Sequence, residues 1–474
     1  MKAIGLLFIA LLSMLLCLCG CTLSPKYSQP KLPVPPTWPG GANSNDQPDV
    51  GTPGAPNMKW ADFFTDGNLR QVIEVALANN RDLRVAALNV EKVQALYRIQ
   101  RAEQFPTVNA SVSGDLYRLP RTATIGGFSV PQATTVQQYT VNVGAASWEL
   151  DLFGRVRSLK SQALEQYLAT EQARTASQIS LVAEVASAYL TMGADRDSLR
   201  LAQATLDAQQ ASYELIRRSR EVGIANDLDL REAQTQVETA RVDIARFTGH
   251  LELDENALDL LAGASVSASL LPGGLGPDEA LKDIGAGLPS TVLLQRPDIL
   301  SAEHQLKGAY ANIGTARAAY FPRIALTGGA GFTSGDLTNL FKGASGTWSF
   351  APEIDVPIFD AGTRKANLRA AEVDRDAAIA EYEKAIQTAF REVSDSLSQR
   401  TWLMQQQTAQ QALVRALEET YRLADARYKA GIDSYLTVLV AQRSLYAGQQ
   451  GLLNLREARL RNLVTLYKVL GGGA

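Results

Sequence analysis

The chain repeats itself, and this repeat restricts its fold more than any other feature. Asn80-Arg81-Asp82-Leu83 returns as Arg296-Pro297-Asp298-Ile299, Arg101-Ala102 as Arg317-Ala318, and Phe105-Pro106 as Phe321-Pro322, all 216 positions later. Glu149-Leu150-Asp151 returns as Glu353-Ile354-Asp355. Beyond Gly154 and Gly362 the spacing settles at 208 and holds: Tyr213 matches Tyr421, Gly223-Ile224 matches Gly431-Ile432, Gln234 matches Gln442, and Gly263 matches Gly471. Constant spacing over roughly a hundred residues is the mark of a duplicated architecture, so one half sets the fold of the other.

Each copy opens with strands. After Phe105-Pro106, Val108, Ala110, Val112, Gly114 and Leu116 alternate with Asn109, Ser111, Ser113 and Asp115. The second copy runs Ile324, Leu326, Gly328, Ala330, Phe332. Partner strands follow at Tyr139-Val141-Val143 and at Trp348-Phe350-Pro352-Ile354-Val356. Strands of about ten residues with one apolar and one polar face have the length and pattern of bilayer-spanning barrel strands. A soluble sandwich alternates in the same way, and periodicity alone leaves both open. The alternation breaks near Ala145 to Trp148, where either a bulge or an exit from the bilayer accounts for it.

The period then becomes helical. Ile179, Val182, Ala186, Tyr189 and Gly193 share one face in the first copy; Ile379, Tyr382, Ile386, Phe390, Val393 and Leu397 do so in the second. No proline interrupts Gly154 to Arg220 or Gly362 to Lys429, so each helix spans about 100 Å. Gly223 and Gly431 close these helices as hairpin turns, and the return helices carry Leu228, Leu230, Val237 and Leu436, Val438, Leu445. Helices of such length pack side by side against copies of themselves. Four strands are too few to close a barrel, since small barrels need about eight. Two chains make a barrel filled by its own side chains; three leave a lumen. The expected fold is mainly α with membrane β, internally duplicated.

At the N-terminus, Lys2 precedes an apolar stretch, Ile4 to Leu18, too short to span a bilayer. It ends in Leu18-Cys19-Gly20-Cys21, which resembles a bacterial lipobox with Cys21 as the acylated residue; Cys19 departs from the small residue usual there. An ordinary signal peptide is the plainer reading. Residues 1–20 are read as the signal and 21–57 as a proline-rich strap (Pro25, Pro30, Pro33, Pro35, Pro36, Pro39, Pro48, Pro53, Pro56) between anchor and body. The first repeat is placed at 58–263, with strands at about 107–118 and 137–150 and a hairpin at about 154–262. A linker at 264–293 leads to the second repeat at 294–474, with strands at about 323–334 and 346–358 and a hairpin at about 362–470.

A formal net charge of −3 gives no basic footprint for nucleic acid. The two histidines, His250 and His304, form no zinc-binding cluster and no nucleophilic triad, and each reads as an ordinary helix residue. Gly328-Gly329-Ala330-Gly331 lacks the Lys-Ser or Lys-Thr of a phosphate loop and suits a crowded barrel wall. No cofactor is indicated and no enzyme is expected.

Several runs resemble the TolC-type outer-membrane factors, and specifically the OprM-like lipoprotein branch: the lipobox and strap, Ala78-Asn79-Asn80-Arg81-Asp82-Leu83-Arg84-Val85-Ala86, Trp148-Glu149-Leu150-Asp151-Leu152-Phe153-Gly154, Leu294-Gln295-Arg296-Pro297-Asp298-Ile299 and Tyr435-Leu436-Thr437. The resemblance covers nearly the whole chain. It implies a homotrimer with a shared twelve-stranded outer-membrane barrel, a periplasmic helical tunnel and a mixed equatorial belt drawn from 58–75, 264–293 and the C-terminus. Thr22, where the family's inner-membrane lipoproteins carry Asp, implies sorting to the outer membrane. The implied role is the exit duct of a tripartite multidrug efflux pump, fed by a periplasmic adaptor and an inner-membrane resistance-nodulation-division transporter.

By the same resemblance, Gly223-Ile224 and Gly431-Ile432 match the tip motif that meets the adaptor, although glycines also simply permit the turn. Leu436 matches the constriction residue; Tyr428, Asp229, Arg443 and Arg456 match positions that tie neighbouring helices in the closed state. The plainer alternative is a solvated set of charges on a helix face. Val440 stands where an acidic residue is usual, which implies two stacked apolar rings, Leu436 and Val440, in place of a charged one. Two other functions stay open at this point: a duct for protein secretion, and a non-conducting lipoprotein scaffold.

Overall fold

A computed structural model describes residues 22–38, 58–120, 124–125, 128–129, 132–276, 281–282 and 289–472. The expected signal and Cys21, residues 39–57 of the strap and parts of the 264–293 linker lie outside the described residues. Two compact units emerge: one from the described residues of Met1–Pro30, Val90–Thr170 and Ala302–Glu381, the other from those of Lys31–Asn89, Glu171–Ser301 and Tyr382–Ala474.

A four-stranded antiparallel sheet dominates the first unit, with strands β1 (Val108–Leu119), β2 (Thr134–Glu149), β3 (Arg323–Ser334) and β4 (Gly346–Asp355) side by side in chain order. Register turns the alternation of each strand into two contrasting faces. Val112, Val141 and Phe332 lie in one row; Ala110, Val143, Ala330 and Trp348 lie in the next. The opposite face aligns Ser111, Asn142, Gly331 and Thr347, and beside them Asn109, Gly144, Gly329 and Ser349. The apolar face is largely open, with Val112, Trp348 and Phe350 all exposed. Gly331 and Gly144 sit where a Cβ would collide with the backbone of the adjoining strand, so the glycine run serves close strand approach.

The broken alternation in β2 is a bulge. Ala145 pairs with Gly328 and Trp148 with Leu326, so β2 spends one residue more than β3 there, and Ser147 takes a φ of 53°. That extra residue returns Trp148 to the apolar face and leaves Glu149 on the polar one. Glu149 is then held by Arg155 (Nε 2.8 Å, Nη2 2.7 Å) and by Arg323 (Nε 2.8 Å). This fixes the end of the sheet to the start of the following helix.

The helices are α1 (Gly67–Asn79), α2 (Arg81–Ala102), α3 (Arg155–Glu221), α4 (Asp227–Ala262), α5 (Pro297–Ala318), α6 (Thr363–Lys429) and α7 (Tyr435–Val469). α3 and α6 each contain 67 residues, about 100 Å of helix. Among the described residues no helix is long and apolar enough to cross a membrane. The apolar faces read from the sequence are the faces that pack: Val182, Ala186 and Tyr189 on α3 and Tyr382, Ile386 and Val393 on α6 are buried.

Described strap residues are docked. In the first unit the Tyr27 hydroxyl donates to Glu303 Oε1 at 2.9 Å, its ring meets Tyr310 edge-on at 5.6 Å, and Arg317 Nη1 donates to the Leu23 carbonyl at 3.3 Å. In the second unit Trp38 stacks on Phe390 at 4.8 Å, and the Pro36 carbonyl accepts from Ser290 N at 3.1 Å.

Candidate functional site

Both hairpins turn through the same backbone motif. Gly223 N donates to the Arg220 carbonyl (2.9 Å) and Ile224 N to that of Ser219 (2.8 Å). Gly431 N donates to Tyr428 (2.9 Å) and Ile432 N to Arg427 (3.0 Å), the same pair of bonds 208 residues on. These are Schellman caps, which need a left-handed residue at the glycine; φ is 81° at Gly223 and 72° at Gly431. No atom crowds either glycine, so conformation and not space dictates the residue. The motif lifts its next residue into solvent: Ile224 is 82% exposed and Ile432 is 63%.

Ion pairs brace the turns, Arg220 with Asp227 in the first, and Arg427 with Asp433 through two bonds of 2.6 and 3.0 Å in the second. The Arg427 bond holds the Asp433 carboxyl below its ordinary range. The return helices begin differently. Asn226 and Asp229 form a reciprocal capping box for α4, whereas Ser434 makes no side-chain cap for α7. Burial of Tyr435 seats the start of α7 instead.

Behind the turns lies a small core of Ile216, Ala233, Ala424, Tyr435, Val438, Leu439 and Ala441, flanked by Tyr213, Leu230, Tyr421 and Tyr428. Ile216 and Ala424, Ala233 and Ala441, Tyr213 and Tyr421, and Leu230 and Val438 are equivalent positions of the repeat, so both hairpins supply this core from the same positions. Tyr428 and Tyr435 pack ring to ring at 5.7 Å. Among the described residues the buried Tyr435 hydroxyl has no hydrogen-bond partner, and burial pushes its pKa up to about 12.

Leu436 and Val440 share the opposite, open face of α7, one turn apart, 51% and 55% exposed. Arg443 continues that stripe and donates Nε to Gln236 Oε1 on α4 at 2.9 Å. Asp229 is engaged in its cap, accepting from Asn226 N at 3.3 Å, and close enough to Tyr428 to help raise its pKa after burial, the larger cause. Within one chain, therefore, Asp229 and Arg443 bond elsewhere and not to each other. Arg456 lies higher on α7, donating to the Gly276 carbonyl at 3.0 Å. Tyr428, Asp229 and Leu436 thus gather around one turn, Arg443 sits two helical turns beyond Leu436, and Arg456 stands apart.

Two arrangements escaped sequence reasoning. Arg296, buried, donates to both oxygens of Asp298 (3.0 and 2.7 Å), to Glu392 (2.9 Å) and to the Val469 carbonyl (2.6 Å), beside a cavity of about 840 Å³. Its repeat equivalent Asn80 donates to the Leu261 carbonyl at 2.9 Å, the same link made with a neutral side chain. The shared offset of Asn80 and Arg296 was the available signal. The second arrangement, with no local sequence signature, sets Asp195 of α3 3.4 Å from His250 of α4, beside Asp254. Among the described residues no group of three or more His, Cys, Asp or Glu is arranged to hold a metal.

Comparison with known proteins agrees with this architecture. The family model described as outer membrane efflux protein matches residues 72–264 and 288–472, one match per repeat. The chain is 48% identical over 457 residues to the probable efflux pump outer membrane protein TtgC of Pseudomonas putida, covering 96% of this chain and 93% of that one. A membrane protein from Pseudomonas aeruginosa superposes with a TM-score of 0.89 at 40% identity, covering 96% of this chain and 98% of that one. The open state of the Neisseria gonorrhoeae MtrE outer membrane channel does so with a TM-score of 0.85 at 38% identity, covering 96% and 98%. With both repeats, the two-faced sheet and the paired hairpins accounted for, the chain belongs to the outer membrane efflux protein family.

Proposed function

We propose that this protein is the outer-membrane exit duct of a tripartite efflux pump and works as a homotrimer. The observation that carries this is the sheet: one continuous apolar face, one continuous polar face, and two edge strands, β1 and β4, unpaired on their outer sides among the described residues. An open edge in a bilayer leaves backbone donors and acceptors unsatisfied, at several kcal/mol each, so β1 of one chain must meet β4 of the next. Three chains close twelve strands with the apolar face to lipid and Asn109, Ser111 and Asn142 lining a watery lumen. The helical hairpins continue that lumen as a periplasmic tunnel.

In this reading the tunnel narrows at Leu436 and Val440, three copies of each forming two apolar rings, while Asp229, Tyr428, Arg443 and Arg456 tie adjacent helices in the closed state. The exposed Ile224 and Ile432, presented by Gly223 and Gly431, receive the periplasmic adaptor, which links the duct to an inner-membrane resistance-nodulation-division transporter. Acylation of Cys21 anchors the strap to outer-membrane lipid. Passage is passive and needs no cofactor.

Single-channel recording of the purified protein in planar bilayers, with a drug-susceptibility panel on a deletion strain, tests the reading. Conductance and hypersusceptibility restored by the native gene are expected. A stable lone subunit that never conducts would overturn it.

A further inference from the structure

The buried Oδ2 of Asp254, on α4, has no hydrogen-bond partner among the described residues. Facing it from α3 is another acceptor, the carboxylate of Asp195, whose Oδ2 lies 3.4 Å from Nδ1 of His250, one turn before Asp254 on α4. From α7 comes Glu457, which accepts from Thr191 Oγ1 at 2.8 Å and from Arg461 Nη1 at 3.4 Å. Asp195 and Asp254 thus lie beside His250 between α3 and α4, and Glu457, balanced by Arg461, reaches α3 at Thr191, one turn before Asp195. Ionised carboxylates accept but never donate, so Asp195 and Asp254 bond to each other only when one carries a proton.

We propose that the Asp195–Asp254 pair, bordered by His250 and Glu457, is a proton-operated clamp between α3 and α4. It closes when the pair shares one proton and loosens when both carboxylates ionise. Burial first, then the charge of Asp195 and a bond to it, raise Asp254 to about 6; the charge of His250 pulls the other way and that of Glu457 adds to the rise. Because the folded value lies above the ordinary carboxylate value, the clamp's stabilisation is complete below about pH 4 and is lost as pH rises through about 6. Asp195 stands about 40 Å of helix from the turn at Gly223, so the clamp acts on the α3–α4 hairpin far from its tip. It is independent of the duct reading, since a chain that never conducts would still show it.

Hydrogen exchange of the full-length protein in detergent measures it. Corrected for intrinsic rates, opening of the α4 amides around Asp254 should become about tenfold more frequent between pH 5 and pH 7.5, the factor set by raising one carboxyl from about 4 to about 6. Asp254→Asn, which supplies a permanent donor of the same shape, should abolish that response, and Asp195→Asn should do so from the other side. His250→Gln should move the midpoint to higher pH. A native protein with no pH response in this segment, or the same response in both asparagine variants, overturns the clamp.

Discussion

Arg443 Nε lies 2.9 Å from Gln236 Oε1, and this bond joins α7 to α4 at the end of the open stripe that carries Leu436 and Val440. A duct that opens by moving its return helices must break or carry this bond. Replacement of either partner by Ala removes a charge-assisted hydrogen bond worth about 1 kcal/mol at this half-open position. Arg443→Ala and Gln236→Ala should each raise the conductance of the reconstituted protein severalfold. The double variant should exceed neither by much, because both lose one shared bond. Conductance equal to native in both single variants would remove the bond from the gate.

The tip glycines separate assembly from docking. A side chain at Gly223 or Gly431 meets no neighbouring atom but must adopt a left-handed backbone, at about 1 kcal/mol or more. Gly223→Val and Gly431→Val should therefore distort only the turn and the placement of Ile224 and Ile432. Drug resistance should fall and crosslinking to the adaptor should weaken, with the yield of trimer on unheated gels unchanged. Full crosslinking in both variants would end the adaptor assignment.

Tyr435 offers the opposite kind of test. Its ring belongs to the tip core, yet its hydroxyl is buried without a partner among the described residues. Removing that oxygen and keeping the ring relieves a desolvation cost of about 1 kcal/mol. Tyr435→Phe should raise the thermal midpoint by a few degrees. A lowered midpoint would show that the hydroxyl is bonded in the assembled protein.

The sequence announced what depends on period and repetition. The alternation from Val108 to Leu116 becomes β1, and Tyr382, Ile386 and Val393 become a buried face, because both patterns are local consequences of backbone geometry. Gly223 and Gly431 were recognisable because a left-handed helix end admits few other residues. The break at Ala145 to Trp148 was visible, but a bulge and a chain exit produce the same broken pattern, and only the register with β3 distinguishes them. Asp195, Asp254 and Glu457 were illegible: residues on three helices have no common period, and only packing brings them together. The partners that Arg443 and Asp229 take within one chain were illegible for a related reason. Family likeness assigns positions, whereas Gln236 and Asn226 are what those side chains reach within one chain.

Arg296 is where the two repeats diverge most sharply in chemistry while keeping the same geometry. Asn80 and Arg296 each donate to a carbonyl near the end of a return helix, Leu261 in one repeat and Val469 in the other. Arginine adds a charge that Asp298 and Glu392 neutralise with three bonds, and Glu184, the counterpart of Glu392, faces a repeat with no such cation. Removal of a buried cation strands its partners, at about 3 kcal/mol. Arg296→Ala should accordingly lower the thermal midpoint by several degrees. Arg296→Gln keeps a donor for Val469 but not the charge, so it should fall between. The double variant Arg296→Gln with Glu392→Gln removes one of the two carboxylates left without their cation and should recover part of the loss. Equal destabilisation by Ala and Gln, with no recovery in the double variant, would show that the carbonyl link and the charge balance do not contribute separately.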